Sequence, residues 1–168
     1  VARMRRLMEQ LSSESKQSER RRISLDDSVR DAIARVQPRL PTPGLVSNGS
    51  GLSIDADRER LTTVFEHLIR NAQDATDDGG SISVAVDVSG DIAVVTISDT
   101  GCGMTRDFVR DRLFRPFDST KGSQSMGIGA YQAREYVREL GGQLTVSSEL
   151  GAGTTFSVRL PLAAEQGA

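Results

Sequence analysis

The chain has one cysteine, one histidine, a net charge of only −2 and no long apolar run. Each shortage removes a class of reading. A lone Cys102 cannot close an internal disulfide, which fits a reducing compartment. Near-balanced charge leaves no footprint for a nucleic acid, so no such partner is expected. The Arg20-Arg21-Arg22 run is read as a solvated helix end. No segment approaches the roughly 20 apolar residues of a membrane helix, and no signal peptide opens the chain. No Gly-x-x-x-x-Gly-Lys-Ser/Thr run is present, which sets aside a Walker-type site. Asp-Phe-Gly and His-Arg-Asp are missing too, and no glycine fingerprint follows the first strand. Internal repeats are absent.

What remains is ordinary globular material: 168 residues, 37% apolar and 26% charged, enough for one sizeable core with an appendage. The chain opens on Val1, part-way through a helical pattern, and is read as a fragment of a longer protein. Val1, Met4, Leu7, Met8 and Leu11 form one thin apolar stripe, which suits a helical hairpin or coiled coil better than a globular core. Residues 12–22 are polar and read as a linker. The expected division is 1–22 as helix end and linker, 23–163 as the folded domain and 164–168 as a tail.

Within the domain, Ile23 to Leu25 reads as a short strand and Asp26 as the cap of a helix ended by Pro38, Pro41 and Pro43. Leu45-Val46 and Leu52 to Ile54 read as short strands across an Asn48–Gly51 turn. Asp55 or Asp57 caps a longer helix to about Thr76, with Leu61, Val64, Phe65, Leu68, Ala72 and Ala75 as its core stripe. At about 100° per residue, His67, Asn71 and Asp74 fall within roughly 60° of one another along one edge of that stripe, and Glu66 lands opposite. Such a row either lines a pocket or is the polar border of an amphipathic helix.

Two alternating strands follow, Ile82 to Val88 and Ile92 to Ser98. Strand parity puts Asp99 on the apolar face with Ala93, Val95 and Ile97, where a carboxylate is costly unless hydrogen-bonded. It either caps its turn through backbone N–H groups or accepts a proton from a ligand, and Gly101 and Gly103 leave room for close approach. A short helix covers Thr105 to Leu113, and Phe114 and Phe117 flank Pro116 before a Ser/Gly/Gln-rich loop. Gly127 and Gly129 open a further helix to Leu140, whose free N–H groups and positive dipole end suit phosphate. A hairpin, Gln143 to Ser147 and Thr154 to Leu162, closes the chain. Paired strands interrupted by two long helices predict a two-layer α/β sandwich, a mixed, mostly antiparallel sheet with three main helices on one face.

The ordered motifs resemble the ATP-binding domain of sensor histidine kinases, in the gyrase, Hsp90, histidine kinase and MutL superfamily, whose fold is the Bergerat fold. His67 to Ala75 resembles the N box, and Asp99-Thr-Gly-Cys-Gly103 the first glycine box. Phe114-Arg-Pro-Phe117 resembles the F box, and Met126-Gly-Ile-Gly-Ala130 the second glycine box. The likeness spans about residues 23–163. It implies ATP and Mg²⁺ as cofactors. Asn71 would hold the Mg²⁺, Asp99 would take the adenine amino proton with Thr154 behind it, and Gly101 and Gly103 would admit the base. His67 and Asp74 would stand at the pocket edge, Gly127, Ile128 and Gly129 would face the phosphates, and Lys121 would reach the γ-phosphate. Asn71 and Lys121 are thus the implied catalytic pair.

The implied reaction is γ-phosphoryl transfer to a histidine on a dimerisation hairpin upstream. The implied partners are that hairpin and a response regulator, with the whole protein a homodimer. The implied location is the cytoplasmic side of a bacterial inner membrane, with no direct membrane contact by this fragment. Two departures stand out: Ser125 replaces a frequent glycine, and His67 stands where many members carry Asn and ATP-hydrolysing ones Glu. The rival readings are an ATPase of the same superfamily and a nucleotide sensor without transfer.

Overall fold

A computed structural model describes residues 3–8, 20–48, 51–115 and 128–164. The expectations placed on the linker's 12–19, on Pro116, Phe117, Lys121, Ser125, Met126 and Gly127, and on the tail's 165–168 lie outside those residues. The first helix, α1, covers residues 3–8; its Met4 and Leu7 are 48% and 43% exposed, and Met8 is half-buried.

Strand β1 (Arg21–Ser24) leads directly into α2 (Leu25–Val36). The cap is Ser24, not Asp26: its hydroxyl accepts from Asp27 N–H, while Asp26 accepts a hydrogen bond from Ser47 Oγ at 2.9 Å. Strands β2 (Gly44–Ser47) and β3 (Ser53–Ala56) do form, but not as the expected hairpin. β2 joins the main sheet parallel to a later strand, and β3 turns away to pair antiparallel with β1. In β3 the alternation leaves Ile54 and Ala56 fully buried in the core.

Helix α3 (Arg58–Ala75) starts under an Asp57 cap that accepts from Arg60 N–H at 3.1 Å. After it come β4 (Ile82–Ser89), β5 (Ile92–Asp99), the short α4 (Arg106–Asp111), α5 (Ile128–Glu139), β6 (Gln143–Glu149) and β7 (Gly153–Pro161). The sheet order is β2-β4-β5-β7-β6; β2 and β4 pair parallel, and β4–β5, β5–β7 and β7–β6 pair antiparallel. This is the mixed, mostly antiparallel sheet that the strand pattern predicts.

One face of the sheet is dry. Val84, Val86, Val95, Ile97, Phe156, Val158 and Leu160 are buried there with Phe65, Leu68 and Ile69 of α3 and Val137 of α5. The other face carries half-buried Thr96, Ser98, Thr155 and Ser157, as expected of an antiparallel sheet covered on one side. α2 lies against α3 through Val29 and Ala32 and through a buried hydroxyl pair, Ser28 to Thr62, at 2.9 Å. Tyr136 locks α5 to the start of α3: its hydroxyl accepts from Asp57 N–H at 2.9 Å, and Arg60 stacks on its ring. The three main helices thus hold α3 in the middle of one layer.

Candidate active site

α3 is the spine of the site. His67 and Asn71 lie one helical turn apart, about 6 Å along its axis, and Ala75 ends the helix another turn on. Each end of this stretch meets a different loop.

At the Ala75 end, the loop after β5 is tied down by Cys102 N–H donating to Ala75 O at 2.9 Å. Asp99 is only 8% exposed. Its Oδ1 accepts from Gly101 N–H at 2.8 Å and from Thr154 N–H at 3.3 Å. The carboxylate therefore does cap its own turn, as one of the two readings of that residue requires. The glycines are needed for a tighter reason than room for a ligand. A Cβ on Gly101 would lie 2.3 Å from Ala75 O, and one on Gly103 would lie 2.0 Å from Glu149 O at a φ of +70°.

Gly103→Ala is accordingly expected to cost several kcal/mol, since left-handed strain of about 1–2 kcal/mol adds to overpacking of about 1–3 kcal/mol. Gly151 is a control, having a φ of +83° but nothing within 4 Å of its Cβ position. Gly151→Ala should show the conformational part alone. Equal losses for the two in urea unfolding would refute the steric argument.

At the other end, α5 begins against His67. A Cβ on Gly129 would stand 3.1 Å from His67 Nδ1 and 3.3 Å from Cγ. The imidazole is partly buried. Burial lowers its pKa below the usual histidine value; Glu66 opposes the shift and Arg70 adds to it. Helix α5 presents its N-terminal N–H groups beside this ring, the arrangement that receives anions.

Residues 56–164 match the family described as histidine kinase-, DNA gyrase B- and HSP90-like ATPases. The chain belongs to that family. It is 29% identical over 163 residues to the histidine protein kinase DivJ of Caulobacter vibrioides, covering 92% of this chain and 27% of DivJ. It is 34% identical over 109 residues to the sensor protein SrrB of Staphylococcus aureus, covering 62% of this chain and 19% of SrrB. Among solved structures, the nucleotide-free catalytic domain of histidine kinase ThkA superposes with a TM-score of 0.75 at 22% identity, covering 85% of this chain and 95% of that one. Full-length ShkA in complex with AMPPNP gives 0.76 at 23%, covering 89% and 32%. At such identities the structural likeness is one of fold. The chain spans well under a third of the curated relatives it matches, and it is a domain of their catalytic ATPase type.

In this ATPase-family domain the expected site residues separate into two groups. Asp99, Gly101, Gly103 and Thr154 come together under the end of α3, and His67, Asn71 and Gly129 along α3 and the start of α5. Asp74 is placed differently: it is exposed, and its Oδ1 meets Arg39 Nη2 at 2.6 Å, which ties the loop after α2 to α3. Lys121, Gly127 and the side chain of Ile128 lie outside what is described. Glu66 faces α2, as the helix arithmetic has it, and pairs with Arg70 at 2.9 Å and Arg35 at 3.5 Å.

Ser148 belongs to the site without standing in any of the motifs. Ser148 accepts from Met104 N–H at 2.8 Å and shares a hydrogen bond with Thr154 Oγ1 at 2.7 Å, so it joins the Asp99 loop to the closing hairpin. A signal for it existed: Ser148 continues the inward parity of Leu144 and Val146, where a third apolar residue would be ordinary. A cleft of about 660 Å³ opens here, lined by Asp99, Met104, Ser148, Glu149 and Thr154 among others, and not by His67, Asn71 or Gly129.

Proposed function

We propose that this chain is the catalytic domain of a two-component sensor histidine kinase, binding Mg²⁺·ATP and donating its γ-phosphoryl group to a histidine elsewhere in the protein. The observation that carries this reading is the double engagement of α3. Its end is bonded to the loop of a buried carboxylate, while its middle meets the start of α5. One rigid helix thereby sets a base-reading group and a phosphate-receiving helix end at a fixed separation. Phosphoryl transfer depends mainly on such positioning and on charge neutralisation.

ATP is the nucleotide of the family, and the residues present fit it. Asp99 offers an acceptor for the adenine amino group, with Thr154 and Ser148 holding the adjoining strand. The start of α5, where Gly129 stands against His67, would receive the phosphates, and Gly127 and Lys121 would take part in that contact. Asn71 would hold the Mg²⁺, which supplies neutralisation of phosphate charge. The acceptor hairpin would carry on from α1, whose exposed Met4 and Leu7 are suited to a partner helix. A homodimer, a response regulator and an inner-membrane location belong to the same proposal. No helix among the described residues is long and apolar enough to cross a membrane.

The rival reading of a true ATPase is disfavoured by Glu66. Its carboxylate is spent on Arg35 and Arg70, on the α2 side of α3, and is not turned toward Gly129 to activate a water.

Calorimetric titration with ATP, with and without Mg²⁺, tests the proposal. Tight binding that strengthens with Mg²⁺ is expected, and Asn71→Ala should remove the Mg²⁺-dependent increment while leaving adenosine binding in place. Equal loss of adenosine and ATP binding in that variant would assign Asn71 to folding instead.

A further inference from the structure

Ser148 stands in a chain of hydrogen bonds that runs in one direction. The chain begins at Met104 N–H, which can only donate, and which does so to Ser148 Oγ at 2.8 Å. Ser148 Oγ then lies 2.7 Å from Thr154 Oγ1 and 3.2 Å from Gly153 O. The shorter distance is the usual length of a bond between hydroxyls, and the longer one is outside that range. With one proton to give, Ser148 places it on Thr154, and a hydroxyl that already accepts a bond is the stronger donor. Thr154 Oγ1 is thereby the acceptor, and its own proton is left over. Ser148 is the one hydrogen-bond partner of that oxygen among the described residues. A buried hydroxyl proton is rarely left unspent, and the space beside this one is the cleft that Thr154 lines with Asp99.

Asp99 and Thr154 are cross-strand partners of β5 and β7, both buried at the same end of the sheet. Side by side they offer an acceptor and a donor. One edge of an adenine ring presents the complement, a 6-amino group that donates and N1 that accepts.

We propose that Ser148 is a positioning residue for base recognition: it holds the Thr154 hydroxyl as a donor to N1, so that Asp99 and Thr154 together read both groups of the adenine edge. The proposal rests on the ATP-binding reading above. The N1 bond is a neutral one and counts for less than the charge-assisted bond to Asp99, which sets the preference at the 6-amino position.

The test compares ATP with 1-deaza-ATP, which keeps the 6-amino group and has a C–H in place of N1. Both affinities are measured by calorimetry on the whole chain with Mg²⁺. The parent should prefer ATP by about three- to tenfold, the worth of one neutral hydrogen bond. Ser148→Ala should lose most of that preference. Thr154 is then free to take another rotamer, in which the neighbouring Asp99 carboxylate is a stronger acceptor than N1. Loss of packing alone would weaken both nucleotides alike and leave their ratio in place. Thr154→Val, which removes the hydroxyl, should bring the ratio to about one by the same accounting. Equal binding of the two nucleotides by the parent, or an unchanged ratio in a folded Ser148→Ala, would overturn the proposal and leave the ATP site standing. Failure of the parent to bind ATP would overturn both. Should Ser148→Ala not fold, Ser148→Cys takes its place, since a thiol fills the space of the hydroxyl but donates and accepts weakly. An unchanged ratio in that variant would overturn the proposal equally.

Discussion

Incubated with ATP labelled at the γ-phosphate, the chain is expected to bind nucleotide and acquire no acid-labile label. Its one histidine lies inside α3, with its ring against the first turn of α5. In-line attack requires the acceptor nitrogen about 3–3.5 Å from phosphorus and opposite the leaving oxygen. His67 instead flanks the phosphate-receiving end from the side, fixed to a helix that is itself sealed into the core by Leu68, Phe65 and Ile69. Adding a separate hairpin that bears an acceptor histidine should turn labelling from background to readily measurable. The rate should be slow, because the covalent link that raises the local concentration of the acceptor is missing. Acid-stability analysis followed by peptide mapping checks this. Label on His67 itself would refute the assignment of that residue to the pocket wall, and label on the hairpin that persists after Asn71→Ala would refute the role given to Asn71.

The parts of this site that the sequence made legible are those built on periodicity. Helical arithmetic separates Glu66 from His67 and Asn71, and the ion pairs of Glu66 with Arg35 and Arg70 show the consequence. Strand parity sends Asp99 inward, where it is 8% exposed. Periodicity says nothing about what lies across a gap between distant segments. Asp74 satisfies the helical face yet goes to Arg39, because a loop 35 positions earlier happens to bring a guanidinium there. The pairing of β2 with β4 is likewise invisible locally. A four-residue strand does not carry its partner's identity in its own letters: Leu45 and Ile54 look alike and pack on one core, yet stand in different sheets. The glycines of the Asp99 loop were legible as close-approach positions. That the approaching group is the protein's own backbone at Ala75 and Glu149 is a tertiary fact.

That caging sharpens the second large effect. Asp99→Asn should weaken ATP binding by about 10- to 150-fold, the equivalent of losing a charge-assisted hydrogen bond of roughly 1.5–3 kcal/mol. Oδ1 is already committed as acceptor to the N–H groups of Gly101 and Thr154. An asparagine keeps those two bonds only by turning its oxygen to the same place, which puts its NH₂ where the second carboxylate oxygen was. A donor then faces the adenine amino group, itself a donor. The opposite flip sets the NH₂ against two backbone N–H groups and destabilises the loop. Either way the loss exceeds that of a neutralised charge. The first orientation also inverts the preference at that position: inosine triphosphate, with a carbonyl oxygen in place of the amino group, should lose far less affinity than ATP and become the better ligand of the variant. Competition between the two nucleotides in Asp99→Asn, with urea unfolding to show that the domain is intact, measures the inversion directly. A folded variant that still prefers ATP as strongly as the parent would take Asp99 out of base recognition and leave it as a turn cap.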